Sequence, residues 1–330
     1  MKKDLGSLST HRAYKGLPPK EGKRAPFECS PKKVFEKQVK ALAARLKAIG
    51  CKRVVLGVSG GLDSTLALLV CREAFNVLSL DPKGILAITM PGFATSSRTK
   101  TNAEKMSEGL GVRLETIPIA RAVRAHLKDI GHDGKTPDIT YENAQARMRT
   151  LILMDKANME GGIVVGTGDM SEIALGWCTY NGDHMSMFNV NSGVPKTVIR
   201  RVCSWWGQNH EGEAAAAVLD VVDTPVSPEL VKGQVTENVI GPYELHDFFL
   251  WNFIMNEMGP RALKEEAFSF FRGKYTLEEI SAVCDIFLRR FFTQSFKRNC
   301  APDGVKVFPF ELSLRGWWIP SDIGVVKLHG

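Results

Sequence analysis

The chain has 330 residues, of which 44% are hydrophobic and 24% charged, with a formal net charge of +7. That composition supports one large globular domain or about two smaller ones, and it excludes disordered, collagen-like and disulfide-scaffold chains. No apolar run approaches the ~20 residues that cross a bilayer, and seven cysteines without a C-x-x-C pair argue for a reducing, cytoplasmic setting without thiolate zinc or a membrane partner.

In chain order, residues 1–29 carry Gly, Pro and Lys without apolar periodicity and read as a flexible basic arm. The first forty positions hold eleven basic and four acidic side chains, an excess equal to the whole net charge. A charge so concentrated reads as a solvated leader, and no nucleic-acid partner is expected. The folded domain is expected over 30–330. Ser30 and Pro31 open a helix whose Phe35, Val39, Leu42, Leu46 and Ile49 share an apolar face, and Gly50 ends it.

Strand-like runs then alternate with helical stretches: Arg53 to Val58 and Ser64 to Phe75, Ile85 to Met90 and Thr99 to Leu110, Val112 to Ile117 and Ala120 to Leu127. A polar loop precedes a long helix, Tyr141 to Met159, and a buried strand, Gly162 to Gly166. This alternation predicts an α/β fold, a Rossmann-like doubly wound parallel sheet with right-handed crossovers. Beyond Asp169 the pattern becomes helical: Ser171 to Trp177, Lys196 to Trp206, Gly212 to Val221, Tyr243 to Met258, Arg261 to Phe271 and Thr276 to Lys297. These are read as helical C-terminal additions, and Asp223 to Gly241 as a long loop able to cover a site.

The sharpest motif is an apolar strand, Val54 to Val58, running into Ser59-Gly60-Gly61-Leu62-Asp63-Ser64-Thr65. The two glycines permit a tight turn and close approach of backbone to a ligand. The N–H groups of the following helix, with the hydroxyls of Ser59, Ser64 and Thr65, form an anion cradle of pyrophosphate size. The G-x-x-x-x-G-K-[ST] and G-x-G-x-x-G patterns are both absent from it. Asp63 inside an anion cradle makes sense with a cation such as Mg²⁺ between it and the phosphates.

The hexapeptide from Ser59 to Ser64 resembles the signature of the ATP pyrophosphatase, or PP-loop, family, which splits ATP between its α and β phosphates to adenylate a substrate. Further segments narrow this: Gly166-Thr167-Gly168-Asp169-Met170-Ser171-Glu172, Tyr180-Asn181-Gly182-Asp183, Asn189 to Thr197, Tyr141 to Arg147, Gly241 to Phe248 and Phe296-Lys297-Arg298. Together, from roughly Phe27 onward, they resemble the synthetase portion of the glutamine-dependent NAD synthetases, and they imply a fold of the adenine nucleotide alpha hydrolase type.

The resemblance implies amidation of deamido-NAD with ATP and Mg²⁺ as cofactors. It places Asp63 and Glu172 on the metal, and Ser59, Gly60, Gly61, Ser64, Thr167, Lys196 and Ser227 or Thr224 on ATP or pyrophosphate. Asn143, Arg147, Asp183 and, less directly, Lys297 go to deamido-NAD. Physically, Glu172 sits just past a strand on the sheet edge where open α/β folds bind ligands. Asn143 and Arg147, one helical turn apart, can hold a carboxylate or phosphate together.

The glutamine-dependent enzymes also carry an N-terminal glutaminase domain, for which residues 1–29 leave no room. The expected nitrogen donor is therefore ammonia, either free or supplied by a separate glutaminase or by a longer protein of which this is a fragment. A homodimer is implied as well. The alternatives are another PP-loop enzyme, one adenylating a nucleotide or a tRNA base, and a nucleotide sensor without chemistry. His184 is read as a polar neighbour of the site rather than a general base. The pairs Trp205-Trp206, Phe248-Phe249, Phe270-Phe271 and Phe291-Phe292 are read as core or dimer contacts.

Overall fold

The structure is a computed structural model that describes residues 26–94, 97–224, 236–313 and 316. Helix α1 (Pro31–Ile49) leads into β1 (Val54–Gly57), α2 (Leu62–Val77), β2 (Ile85–Thr89), α3 (Ser97–Gly109), β3 (Arg113–Thr116), α4 (Ala120–Asp129), α5 (Ile139–Glu160) and β4 (Ile163–Gly166). There follow α6 (Met170–Leu175), β5 (Phe188–Asn189), α7 (Lys196–Gln208), α8 (Glu213–Val222), α9 (Thr236–Ile240), α10 (Tyr243–Met255), α11 (Pro260–Phe270), α12 (Leu277–Thr293) and α13 (Ser295–Arg298).

The five strands form one parallel sheet in the order β3-β2-β1-β4-β5, with Val54 opposite both Ile85 and Ile163. The period-2 alternation of a strand divides the apolar side chains between two cores. Val54, Leu56, Ile85, Ala87 and Val165 pack toward the side of α1, α2, α7 and α8. Val55, Leu86, Ile88 and Val164 pack with Ile119, Val123 and Leu127 of the α4 segment and Ala144 and Ala157 of α5. This is the doubly wound arrangement expected from the alternating pattern.

Several local readings differ from the sequence expectation. Ile49, placed on the apolar face of α1, is 48% exposed, because Gly50 with φ +66° ends the helix there. The run from Thr276 to Lys297 is two helices, α12 and α13, parted at Gln294. Within the segment read as a loop, Thr236–Ile240 is helical, while Ser227 lies outside the described residues. Strand β5 is only two residues long, too short for periodicity to reveal. It is extended by the chain near Gly304: Asn189 N–H donates to Asp303 O at 2.8 Å and Val305 N–H to Asn189 O at 3.2 Å.

The aromatic pairs are largely core. Phe248, Phe249, Phe291, Phe292 and Trp206 are buried, whereas Phe270 is half exposed. Phe27, three residues before Ser30, is buried against Trp251 and Phe308.

His246 on α10 is 1% exposed, and its Nε2 lies 2.8 Å from Ile240 O. Burial pushes its pKa down to about 4. A histidine with a lowered folded value contributes stability that is complete above the unfolded value near 6.5 and is lost as pH falls through the folded one. His246→Gln should therefore remove an acid-dependent loss of about 3 kcal/mol between pH 7 and 4. Urea denaturation across that range, with no difference in slope between the two proteins, would refute the assignment.

Candidate active site

The strand order reverses between β1 and β4, and in open α/β sheets the crevice at the carboxyl ends of strands at such a reversal is where ligands bind. The turn after β1 starts with Val58 N–H bonded to Ile88 O at 2.8 Å. Gly60 adopts φ +80°, a conformation glycine takes without strain. Ser59 Oγ accepts the Gly61 N–H at 3.2 Å and lies 3.3 Å from Ser64 Oγ, which donates to Gly61 O at 3.0 Å. Helix α2 begins without a side-chain cap, so its first-turn amides are available to an anion. Thr65 departs from the cradle expected of it: its hydroxyl is fully buried, 3.5 Å from Met106 Sδ.

On the other side, β4 ends at Gly166, where a Cβ would collide with the Ser186 side chain, so the β4 turn can pass only as glycine. Asp169 caps α6, accepting the Glu172 N–H at 2.8 Å. Asp63 from α2, Asp169 and Glu172 converge on Lys196, the first residue of α7. Lys196 Nζ lies 2.6 Å from Asp63 Oδ2, 2.6 Å from Asp169 Oδ2 and 2.9 Å from Glu172 Oε1, and 5.2 Å from the Tyr243 ring centroid.

Burial raises the pKa of Asp63 and Glu172, with Lys196 pulling both down and the neighbouring carboxylates pushing them up. For Lys196, burial opposes the charge, but the three carboxylates override it and hold the ammonium well above its ordinary value.

Three carboxylates around one ammonium leave two negative charges in excess. Their ligand oxygens lie within 4.8 Å of one another, and buried Asp63 Oδ1 has no hydrogen-bond partner. Hard oxygen donors, excess charge and unused lone pairs fit a divalent cation such as Mg²⁺. Asp63 and Glu172 were assigned this role from sequence, whereas Asp169 was not. Its signal was an acid at the N-cap of the helix following β4, on the same sheet edge as Asp63.

The cluster is held from behind. Asp247 accepts the Ser171 hydroxyl, the Thr197 N–H at 3.0 Å and the Thr197 hydroxyl at 2.7 Å, and Ser171 Oγ accepts the Lys196 N–H at 2.8 Å. Burial pushes Asp247 up to about 6. Thr224 closes α8, its hydroxyl donating to Asp220 O at 2.9 Å.

The remaining candidates gather beyond α6. Asn143 Oδ1 accepts the Thr179 hydroxyl at 2.7 Å, and exposed Arg147 donates to Tyr180 O at 3.2 Å, so both α5 residues grip one segment. Asp183 folds back on that segment, accepting the Thr179 N–H at 2.7 Å. His184 is buried, with Nδ1 3.0 Å from Thr179 O and Nε2 3.4 Å from Cys300 Sγ, and burial lowers its pKa. Lys297 donates to Gly176 O and Cys178 O at 2.9 and 2.7 Å. Arg290 and Arg298 bond Leu175 O and Ala174 O at 3.0 and 2.9 Å, so three cations cap the carboxyl end of α6. A cavity of about 200 Å³ lies between these groups and Asn189. A wider cleft of about 630 Å³ borders Lys196, Arg200, Arg201 and Tyr243.

Residues 34–275 match the family model described as NAD synthase. The glutamine-dependent NAD(+) synthetase of Mycobacterium tuberculosis (strain H37Rv) is 40% identical over 351 residues, covering 97% of this chain and 51% of that protein. The chain thus spans about half the length of the relatives it matches. Among solved structures, a glutamine-dependent NAD(+) synthetase from Cytophaga hutchinsonii superposes with TM-score 0.73 at 17% identity, over 88% of this chain and 54% of that one. The NH3-dependent NAD synthetase of Campylobacter jejuni gives TM-score 0.53 at 20% identity, over 79% of this chain and 94% of that one. The two structures agree in fold, and the sequence match carries the relationship: this chain belongs to the NAD synthase family.

Proposed function

We propose that this chain is an ATP-dependent amide ligase that converts the nicotinate carboxylate of deamido-NAD into the carboxamide of NAD. The observation that carries the reading is the meeting of an anion cradle, Ser59 to Ser64, with a cation-seeking cluster, Asp63, Asp169 and Glu172, across the crevice between β1 and β4. Family membership supplies the substrate class.

In the first step the substrate carboxylate oxygen bonds to the α-phosphorus of ATP, and the bond to the β-phosphate bridging oxygen breaks, releasing pyrophosphate. Ser59, Gly60, Gly61 and Ser64 hold the departing pyrophosphate, Lys196 offsets its growing charge, and Thr167 lies beside the adenylate. Bound Mg²⁺ supplies charge neutralisation on the phosphates, and Asp63, Asp169 and Glu172 would hold it. In the second step ammonia attacks the adenylated carbonyl, AMP leaves with the bonding pair, and the nitrogen loses a proton. Asn143, Arg147, Asp183 and Lys297 orient deamido-NAD, Ser227 or Thr224 contacts the pyrophosphate, and the Asp223 to Gly241 segment shields the adenylate from water.

Ammonia is the direct nitrogen donor in this reading, whether free or delivered by a glutaminase domain or chain. The reading includes a homodimer in the cytoplasm. Exposed Leu151 and Met159 on α5 supply an apolar face for the dimer, and seven free cysteines suit a reducing compartment. Among the described residues, no helix is long and apolar enough to cross a membrane.

A coupled assay for NAD formed from ATP, Mg²⁺ and deamido-NAD, run with ammonium and with glutamine, tests the reading. Product with ammonium is the expected result; no product with either donor would return the chain to other PP-loop chemistry. Within that assay, Arg147→Ala should raise KM for deamido-NAD about tenfold or more and leave KM for ATP within about twofold, the cost of losing one charge-assisted contact. Equal effects on both constants would undo the assignment.

A further inference from the structure

Two ligand loops meet at the crevice, and the strands that carry them do not by themselves fix the spacing of the loop tips. The β1–α2 turn carries the anion cradle and Asp63. The β4–α6 turn carries Thr167, Asp169 and Glu172. The register between β1 and β4 runs only through Val54–Ile163 and Val55–Val164, so the tips of both turns extend past the ladder.

Lys196 crosses that gap between the acidic side chains, and a second side chain crosses it between the two backbones. Asn191, fully buried two residues beyond β5, uses its single amide nitrogen to donate to Asp63 O and to Thr167 O, each at 2.9 Å. A primary amide is the smallest side chain with two N–H donors on one atom, which is what two carbonyls on separate loops require. The other end of the amide is fixed too. Asn191 Oδ1 accepts from Gln38 Nε2 at 3.0 Å, and the same nitrogen donates to Val190 O at 2.9 Å. Gln38 lies on α1, is fully buried and hydrogen-bonds to neither loop, its Oε1 having no partner. Asn189 completes the frame, with Oδ1 accepting the Asn191 N–H at 2.9 Å and Nδ2 donating to Gly168 O at 2.8 Å.

We infer that Asn191 is a positioning residue that sets the distance between the pyrophosphate loop and the adenylate loop, and that Gln38 acts through it by locking its amide orientation. The buried Asn191 amide has its nitrogen bonded to two carbonyls and its oxygen to a donor, and a flip would face like groups at all three contacts, so it adopts one orientation. Asp63 is then presented to Asp169 and Glu172 at one spacing before any ligand arrives, which is the preorganisation that phosphoryl-transfer sites depend on. The inference rests on the function proposed above only in taking the two loops as the ATP site.

The test uses two near-isosteric variants, Asn191→Leu and Gln38→Met, and their double mutant. The probe is α,β-methylene-ATP with Mg²⁺, followed by calorimetry, with deamido-NAD titrated separately. Asn191→Leu should weaken binding of the ATP analogue about tenfold and Gln38→Met about threefold, the scale of one or two lost buried hydrogen bonds. Deamido-NAD binding should stay within about twofold. The double mutant should bind no more weakly than Asn191→Leu alone, because Gln38 has nothing to position once the amide is gone. Lowered melting temperatures with unchanged analogue affinity, or additive losses in the double mutant, would overturn the assignment and leave a purely structural role. If Asn191→Leu does not fold, Gln38→Met, which removes no hydrogen bond to either ligand loop, still decides. Failure of the wild-type chain to bind the analogue would count against the ATP-site reading instead.

Discussion

Lys196→Met is expected to abolish turnover, lowering kcat by about 10²–10³-fold or more, and to destabilise the protein by about 3–5 kcal/mol in the absence of divalent metal. The ammonium is the only positive group in contact with Asp63, Asp169 and Glu172 among the described residues, and it is 2% exposed. Removing it leaves three carboxylates at short range, Asp169 fully buried and Asp63 and Glu172 only partly open to water, a costly change for a charge cluster. The same geometry predicts a partial rescue. Mg²⁺ can take the place of the missing charge, so urea denaturation should show the variant regaining stability with added Mg²⁺ while activity stays lost. Equal stability of wild type and variant without metal would mean that the ammonium does not bind the carboxylates together.

Asp63→Asn is expected to move activity and stability in opposite directions. Losing one hard anionic donor should lower kcat at least about a hundredfold and raise the Mg²⁺ requirement. Stability should hold or increase at pH 8. The folded value of Asp63 is raised by burial, to about 6. A carboxyl shifted in that direction stabilises the fold fully below its unfolded value, and the contribution is lost as pH rises through the folded one. Above about pH 6 the ionised side chain therefore opposes folding, and a neutral amide of the same shape removes that opposition. Denaturation and initial rates measured on the same preparation at pH 8 check both halves. A variant that loses stability at pH 8 while keeping its rate would invert the account.

What could be read in the sequence and what could not follow from the length over which each signal is written. Strands β1 and β2 are continuous apolar runs, Val54 to Val58 and Ile85 to Met90, and helices α1 and α5 are long enough for their periodicity to show. A pair such as Phe188–Asn189 has no period at all. It is a strand because Val165 and Gly166 lie beside it, which is tertiary information. The break between α12 and α13 has the same origin, since no proline or glycine marks Gln294.

In the site, Ser59, Gly60, Gly61, Asp63 and Ser64 were legible because a strand, a turn and a helix start are compressed into one short motif. Glu172 and Lys196 came through the family resemblance, and the structure brings both to Asp63. Asp169 was overlooked because an acid at an N-cap already has a sufficient local reason to be there. Thr65 was misjudged because a hydroxyl in a phosphate-binding motif suggests a donor, whereas the helical turn directs it inward to Met106. Lys297 and Asp183 are engaged with backbone groups of 176–179, an economy that no spacing pattern announces.

The three cations on the carboxyl end of α6 bear on where the domain can be cut. Arg290, Lys297 and Arg298 all lie beyond residue 275, where the match to the NAD synthase family model stops. A fragment designed on that boundary would leave Ala174, Leu175 and Gly176 without their donors on a helix that carries Glu172 near its start. It would also lose the Asp303–Val305 segment that borders β5 and, through β5, the chain leading to Asn191. The smallest unit able to hold the site together is thus longer than the segment that the family model matches.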